Sequence, residues 1–178
     1  MNAIILSLTL LLLCLSVLIS GFPPNPTPSL CLRFLHLMVM IYIVSFALIY
    51  NMKSSIAYQY LVLVFLMTLH WWVINCCILS YYELKLSAIE NPDWPFFPTT
   101  FHPTMNSLFG ERAGLVMNAV GIIMLMNIGL ILMYNKRIPF TFKVIYVLVF
   151  GIVFSNVILR DRLTGETHYT NAKIPWEN

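Results

Sequence analysis

Residues 70–83 read HWWVINCCILSYYE, the densest group of chemically capable side chains in the chain. His70 and Cys77 are seven apart, so on one continuous helix they share a face, linked through Val73 or Ile74. A histidine and a thiol on one face could hold a soft or borderline metal, or serve as base and nucleophile. Zinc would want four ligands, and no other cysteine or histidine pair has ligand spacing. On such a helix Asn75 and Glu83 point elsewhere. His36 and His70 could suggest paired axial haem ligands, but their depths below a shared membrane face differ by roughly 9 Å, which weakens haem. An ionisable residue inside a membrane suggests function by default. A single histidine beside Trp71 and Trp72 is, however, more often a packing residue. The polar cluster His70, Trp71, Asn75, Cys77 and Glu83 is therefore expected to be structural, with no catalytic or metal-binding residue assigned and any cofactor unknown.

The second group lies in residues 83–112, where Glu83, Glu90, Asp93, His102 and Glu111 could supply cation ligands or carboxylates for acid–base work. Their spacing fits no EF-hand or HExxH pattern, and prolines interrupt any helix that would align them. A solvated interfacial loop that docks on a neighbouring protein is favoured. Its candidate contacts are Trp94, Phe96, Phe97 and Phe101, aromatic residues of the kind that settle at a headgroup interface. Arg160 and Arg162, flanking Asp161 just after the last apolar run, read as interface anchors and complete the candidate interface. The chain has no TVGYG filter, GxGxxG, Walker loop, GxSxG or CxxC.

The elements that must position these residues are apolar. Of 178 residues, 60% are hydrophobic and 10% charged, with mean hydropathy +0.83. A soluble domain carries about 25% charged residues. A hydrocarbon core needs roughly 20 apolar residues in helical form, and the runs do not alternate as barrel strands would. The expected fold is an all-α membrane bundle of about five helices. Its single membrane domain covers 1–159, with spans near 2–20, 30–50, 57–82, 113–134 and 140–159. A long aromatic and proline-rich loop covers 83–112, and a polar tail covers 160–178. Four prolines between Gly21 and Ser29 predict a stiff connector, and Arg33 just beyond it can snorkel to the interface. Gly114, Gly121 and Gly129, with Asn118 and Ala119, predict close helix approach in the fourth span. The first run lacks a basic n-region, which favours a retained helix or signal anchor over a cleaved peptide.

Cys14, Cys31, Cys76 and Cys77 sit in or beside apolar runs and read as structural thiols. A net charge of +3 without a basic stripe argues against nucleic acid. With five spans, Lys53, Lys136, Arg137 and Lys143 share one side with the amino terminus, and all seven acids lie on the other. Base counts near the spans leave orientation open, although the acid-free side is cytoplasm-like.

The pattern HW-x3-N-x-C-x-L-x3-E, formed by His70, Trp71, Asn75, Cys77, Leu79 and Glu83, resembles one in small uncharacterised polytopic membrane proteins of large DNA viruses and in a bacterial family of unknown function. The resemblance covers about fourteen residues and implies a protein of a virion's internal membrane; it implies no particular activity, since those families have none assigned. The first functional expectation is a structural or scaffolding membrane protein that meets the lipid bilayer and other membrane or capsid-type proteins through 83–112 and the tail. The alternatives are a membrane-embedded enzyme or small-solute carrier using His70, Cys77 and Glu83, and an accessory subunit of a large membrane complex.

Overall fold

A computed structural model describes residues 2–23, 26–74, 77–90 and 103–164. Its helices are α1 (Ala3–Ser20), α2 (Pro26–Ile49), α3 (Ile56–Ile74), α4 (Ile78–Glu90), α5 (Pro103–Phe109), α6 (Ala113–Tyr134) and α7 (Phe140–Thr164), with a 3₁₀ turn at Gly110–Arg112. There is no strand among the described residues. Among the described residues five helices are long and apolar enough to cross a membrane: Ala3–Ser20, Pro26–Ile49, Ile56–Ile74, Ala113–Tyr134 and, within α7, Phe140–Val157. Their outward faces are apolar, with Leu48 88%, Phe140 80% and Leu115 71% exposed. Water would penalise that surface and lipid does not. The chain is a multi-pass, all-α integral membrane protein.

Local chemistry explains several helix ends. Asn2 caps α1, its Oδ1 accepting the Ile4 N–H at 3.0 Å. Gly21 ends it at φ 76, ψ 179, a backbone conformation that is essentially glycine's own. The second span begins at Pro26 rather than at 30, because prolines in a first turn lack only donors that have no helical partner anyway. Cys14, Cys31 and Cys77 are free thiols.

Three further boundaries differ from expectation. The span expected over 57–82 stops at Ile74, and a separate helix starts at Ile78. The run contains no proline or glycine to mark this. Asn75, whose side-chain type competes for backbone groups, is its only local signal. The expected loop 83–112 is partly helical: α4 continues to Glu90, and α5 begins at Pro103, a favoured first helical position. The tail expected from 160 continues α7 to Thr164, since the first residues beyond the apolar run, Arg160 and Leu163 among them, are good helix formers.

The chain divides into two compact units, Met1–Tyr42 with Ile78–Gly121, and Ile43–Cys77 with Ile122–Asn178. In the first, α5 packs on α1 and α4, and Leu37, Met40, Met105 and Ala113 form a buried core lined by Leu12, Leu13 and Met117. In the second, α3 packs along α7. Ala57, Tyr60, Leu61 and Val64 are fully buried there. Tyr146 donates to the Leu61 carbonyl at 2.9 Å, while Asn127 and Tyr60 both donate to the Ile43 carbonyl, at 2.8 and 3.2 Å. Tyr146, Phe150 and Phe154 stack in sequence along α7, each 5.5 Å from the next. Among the described residues, the α6 glycines mark no close approach of another helix. Nothing lies within 4 Å of where a Cβ would stand at Gly114, Gly121 or Gly129.

Candidate functional site

The first unit buries a polar cluster that four helices assemble. On α2, Arg33, His36, Leu37 and Met40 follow helical spacing and share a buried face. On α4, Ser80 and Glu83 are three apart and equally buried, as are Thr104 and Ser107 on α5. Ser16 of α1 completes the group. Arg33 is 2% exposed and Glu83 and Thr104 not at all.

Arg33 Nε donates to Glu83 Oε1 at 2.7 Å, an ion pair across fifty positions of sequence. Thr104 Oγ1 donates to the other carboxylate oxygen, Oε2, also at 2.7 Å. Each oxygen therefore has its own short, charge-assisted donor. Arg33 reaches Ser16 Oγ more loosely, at 3.5 Å. His36 Nδ1 stands 3.4 Å from both Ser80 Oγ and Thr104 Oγ1. Thr104 has a single hydroxyl proton, and Glu83 takes it, so toward His36 its oxygen can only accept. Ser107 Oγ anchors back on the Thr104 carbonyl at 2.8 Å. Burying either ion alone would cost several kcal/mol; the geometry offsets that by pairing the two and giving both carboxylate oxygens a donor.

Chemically the group holds an acid, a base and hydroxyls, but sealed from outside. Its geometry is that of a clasp. Glu83 and Thr104 stand at the two ends of the stretch that carries the aromatic cluster, 21 positions apart in sequence and one hydrogen bond apart in space.

The residues singled out from sequence fall differently. Glu83 is brought together with Arg33, Thr104 and their neighbours, none of which shared its expected cluster. His70, on α3, is half-buried, and its Nε2 has no hydrogen-bond partner among the described residues. Cys77 lies outside any helix, before α4, so the common helical face that joined it to His70 does not form. Trp71 is half-buried and Trp72 exposed. Asn75, Trp94, Phe96, Phe97 and Phe101 lie outside the described residues, and so do the side chains of Arg160 and Arg162, which α7 carries. Among the described residues no three His, Cys, Asp or Glu gather as metal ligands.

Arg33 is the main correction. It does not snorkel to an interface, because a buried carboxylate within reach gives its guanidinium a better partner than water at the rim. One signal was present: Arg33 is the single formally charged residue in the whole of α2. Ser80 and Thr104 carried none.

Fold and cluster together define a multi-pass helical membrane protein with a buried ionic clasp. No family model, no curated protein and no solved structure matches the chain.

Proposed function

We propose that the chain is a structural, scaffolding protein of a membrane, which presents residues 84–103 for neighbouring membrane or capsid-type proteins to dock on. The observation that carries this is the clasp. Its carboxylate and hydroxyl close the base of that stretch, and its ionisable groups are spent on one another rather than offered to a solute. Closing a loop at its base removes part of the entropy that a partner would otherwise have to overcome. Trp94, Phe96, Phe97 and Phe101 are residue types that anchor interfaces, and the C-terminal tail with Arg160 and Arg162 is the second contact surface. The resemblance of residues 70–83 to viral membrane proteins makes a virion's internal membrane the favoured setting.

The test is site-specific photo-crosslinking in the native membrane. A photoreactive residue at Trp94 or Phe97 should give one discrete protein adduct, while the same probe at exposed Leu115 of α6 gives only lipid. Lipid adducts alone at all three sites would sink the scaffold reading.

A membrane enzyme or carrier has one observation in its favour, the approach of His36 to two hydroxyls beside a carboxylate. It would act through His36 and Glu83 rather than His70 and Cys77. His36→Phe separates the two readings: a carrier or enzyme loses its flux or turnover, and a scaffold keeps its crosslinks.

A further inference from the structure

One rim of the second unit carries four bases and no acid. Lys53 lies in the turn from α2 to α3, Lys136 and Arg137 in the turn from α6 to α7, and Lys143 one turn into α7. Lys53, Lys136 and Arg137 are exposed. The first acid after Lys143 is Asp161, eighteen residues on (161 minus 143), or about 27 Å along a helix axis.

The turns are fastened together. Asn135, 1% exposed, donates from Nδ2 to the carbonyls of Met52 at 2.9 Å and Ser54 at 3.2 Å. Its Oδ1 accepts the Arg137 N–H at 3.0 Å. Where α3 and α7 begin, the rings of Tyr58 and Phe142 meet at 4.8 Å. The bases thus share an edge because a buried amide and an aromatic pair hold it, and none has a carboxylate partner among the described residues.

Their level is that of a headgroup layer. Lys53 precedes the start of α3 by three residues, and Lys136 follows the end of α6 by two. Tyr58 and Tyr134, 40% and 51% exposed, flank them, and tyrosine is enriched at the membrane–water boundary.

We propose that this rim binds the headgroups of anionic phospholipids, with Arg137 forking onto phosphodiester oxygens and Lys53, Lys136 and Lys143 supplying point charges. The occupant is lipid because the charges lie where the spans end, flanked by interfacial tyrosines. Anionic lipid enriches the cytoplasmic leaflet, which agrees with the cytoplasm-like character of this acid-free side. Each base near such a surface contributes about fivefold in affinity.

The test uses the full-length protein, delipidated in neutral detergent and offered equal phosphatidylserine and phosphatidylcholine, with retained lipid counted by native mass spectrometry. Phosphatidylserine should be retained at least tenfold over phosphatidylcholine. The paired variants Lys53→Gln with Lys143→Gln, and Lys136→Gln with Arg137→Gln, should each lower that preference several-fold, while Arg112→Gln in the first unit leaves it unchanged. Equal retention of the two lipids by the unaltered protein, or an undiminished preference in both paired variants, overturns the proposal. Millimolar inorganic phosphate should leave the preference intact; if phosphate alone displaces phosphatidylserine, the rim is a site for free anions and the lipid reading falls.

Discussion

A carboxylate buried in an apolar unit persists only where its oxygens are supplied with donors. Glu83 has Arg33 on one oxygen and Thr104 on the other, so replacing any of the three leaves a partner stranded. Glu83→Gln keeps the shape but leaves the guanidinium uncompensated, and should cost about 3–5 kcal/mol of stability. Thr104→Val removes only a hydroxyl and should cost about 1–3 kcal/mol, with Thr104→Ser restoring most of it. Reversible unfolding in mixed detergent and lipid micelles measures both. Thr104→Val should also speed protease cleavage between 84 and 103, because the base of that stretch is unfastened. Cleavage at the unaltered rate would show that the hydrogen bond does not close it.

Helix placement was legible wherever length and hydropathy decided it. Four of the five spans stand within a few residues of their expected limits because an apolar run of that length has few other ways to satisfy its backbone. The break between Ile74 and Ile78 was barely legible, since Asn75 is the one polar residue there and Cys76, Cys77 and Ile78 resume the apolar run. Glu83 was singled out as a polar residue of interest, but its partner lies fifty positions away, and one sequence gives no sign of which helices meet. Arg33 had a local alternative, snorkelling, which is indistinguishable by composition from burial in an ion pair. Glycine shows the same contrast between types and contexts. Gly21→Ala should cost about 1–3 kcal/mol because its φ of 76 and ψ of 179 strain any side chain. Gly121→Ala, helical with open space around it, should instead stabilise by about 0.5–1 kcal/mol. Thermal unfolding of the two variants side by side checks the opposite signs.

The molecule as a whole turns apolar surface outward and keeps an ion pair inside, the reverse of a soluble domain. Five spans set it in the bilayer, and the clasp organises the first unit by joining α2, α4 and α5. The most direct measurement is a double-mutant cycle on Arg33→Met and Glu83→Leu, with unfolding followed in lipid bicelles. Each single variant should be strongly destabilised, and the double variant should recover about 2 kcal/mol or more of the summed loss, because no charge is then left stranded. Losses that simply add, to within about 0.5 kcal/mol, would mean that the two side chains do not depend on each other in the membrane and that the clasp holds nothing together.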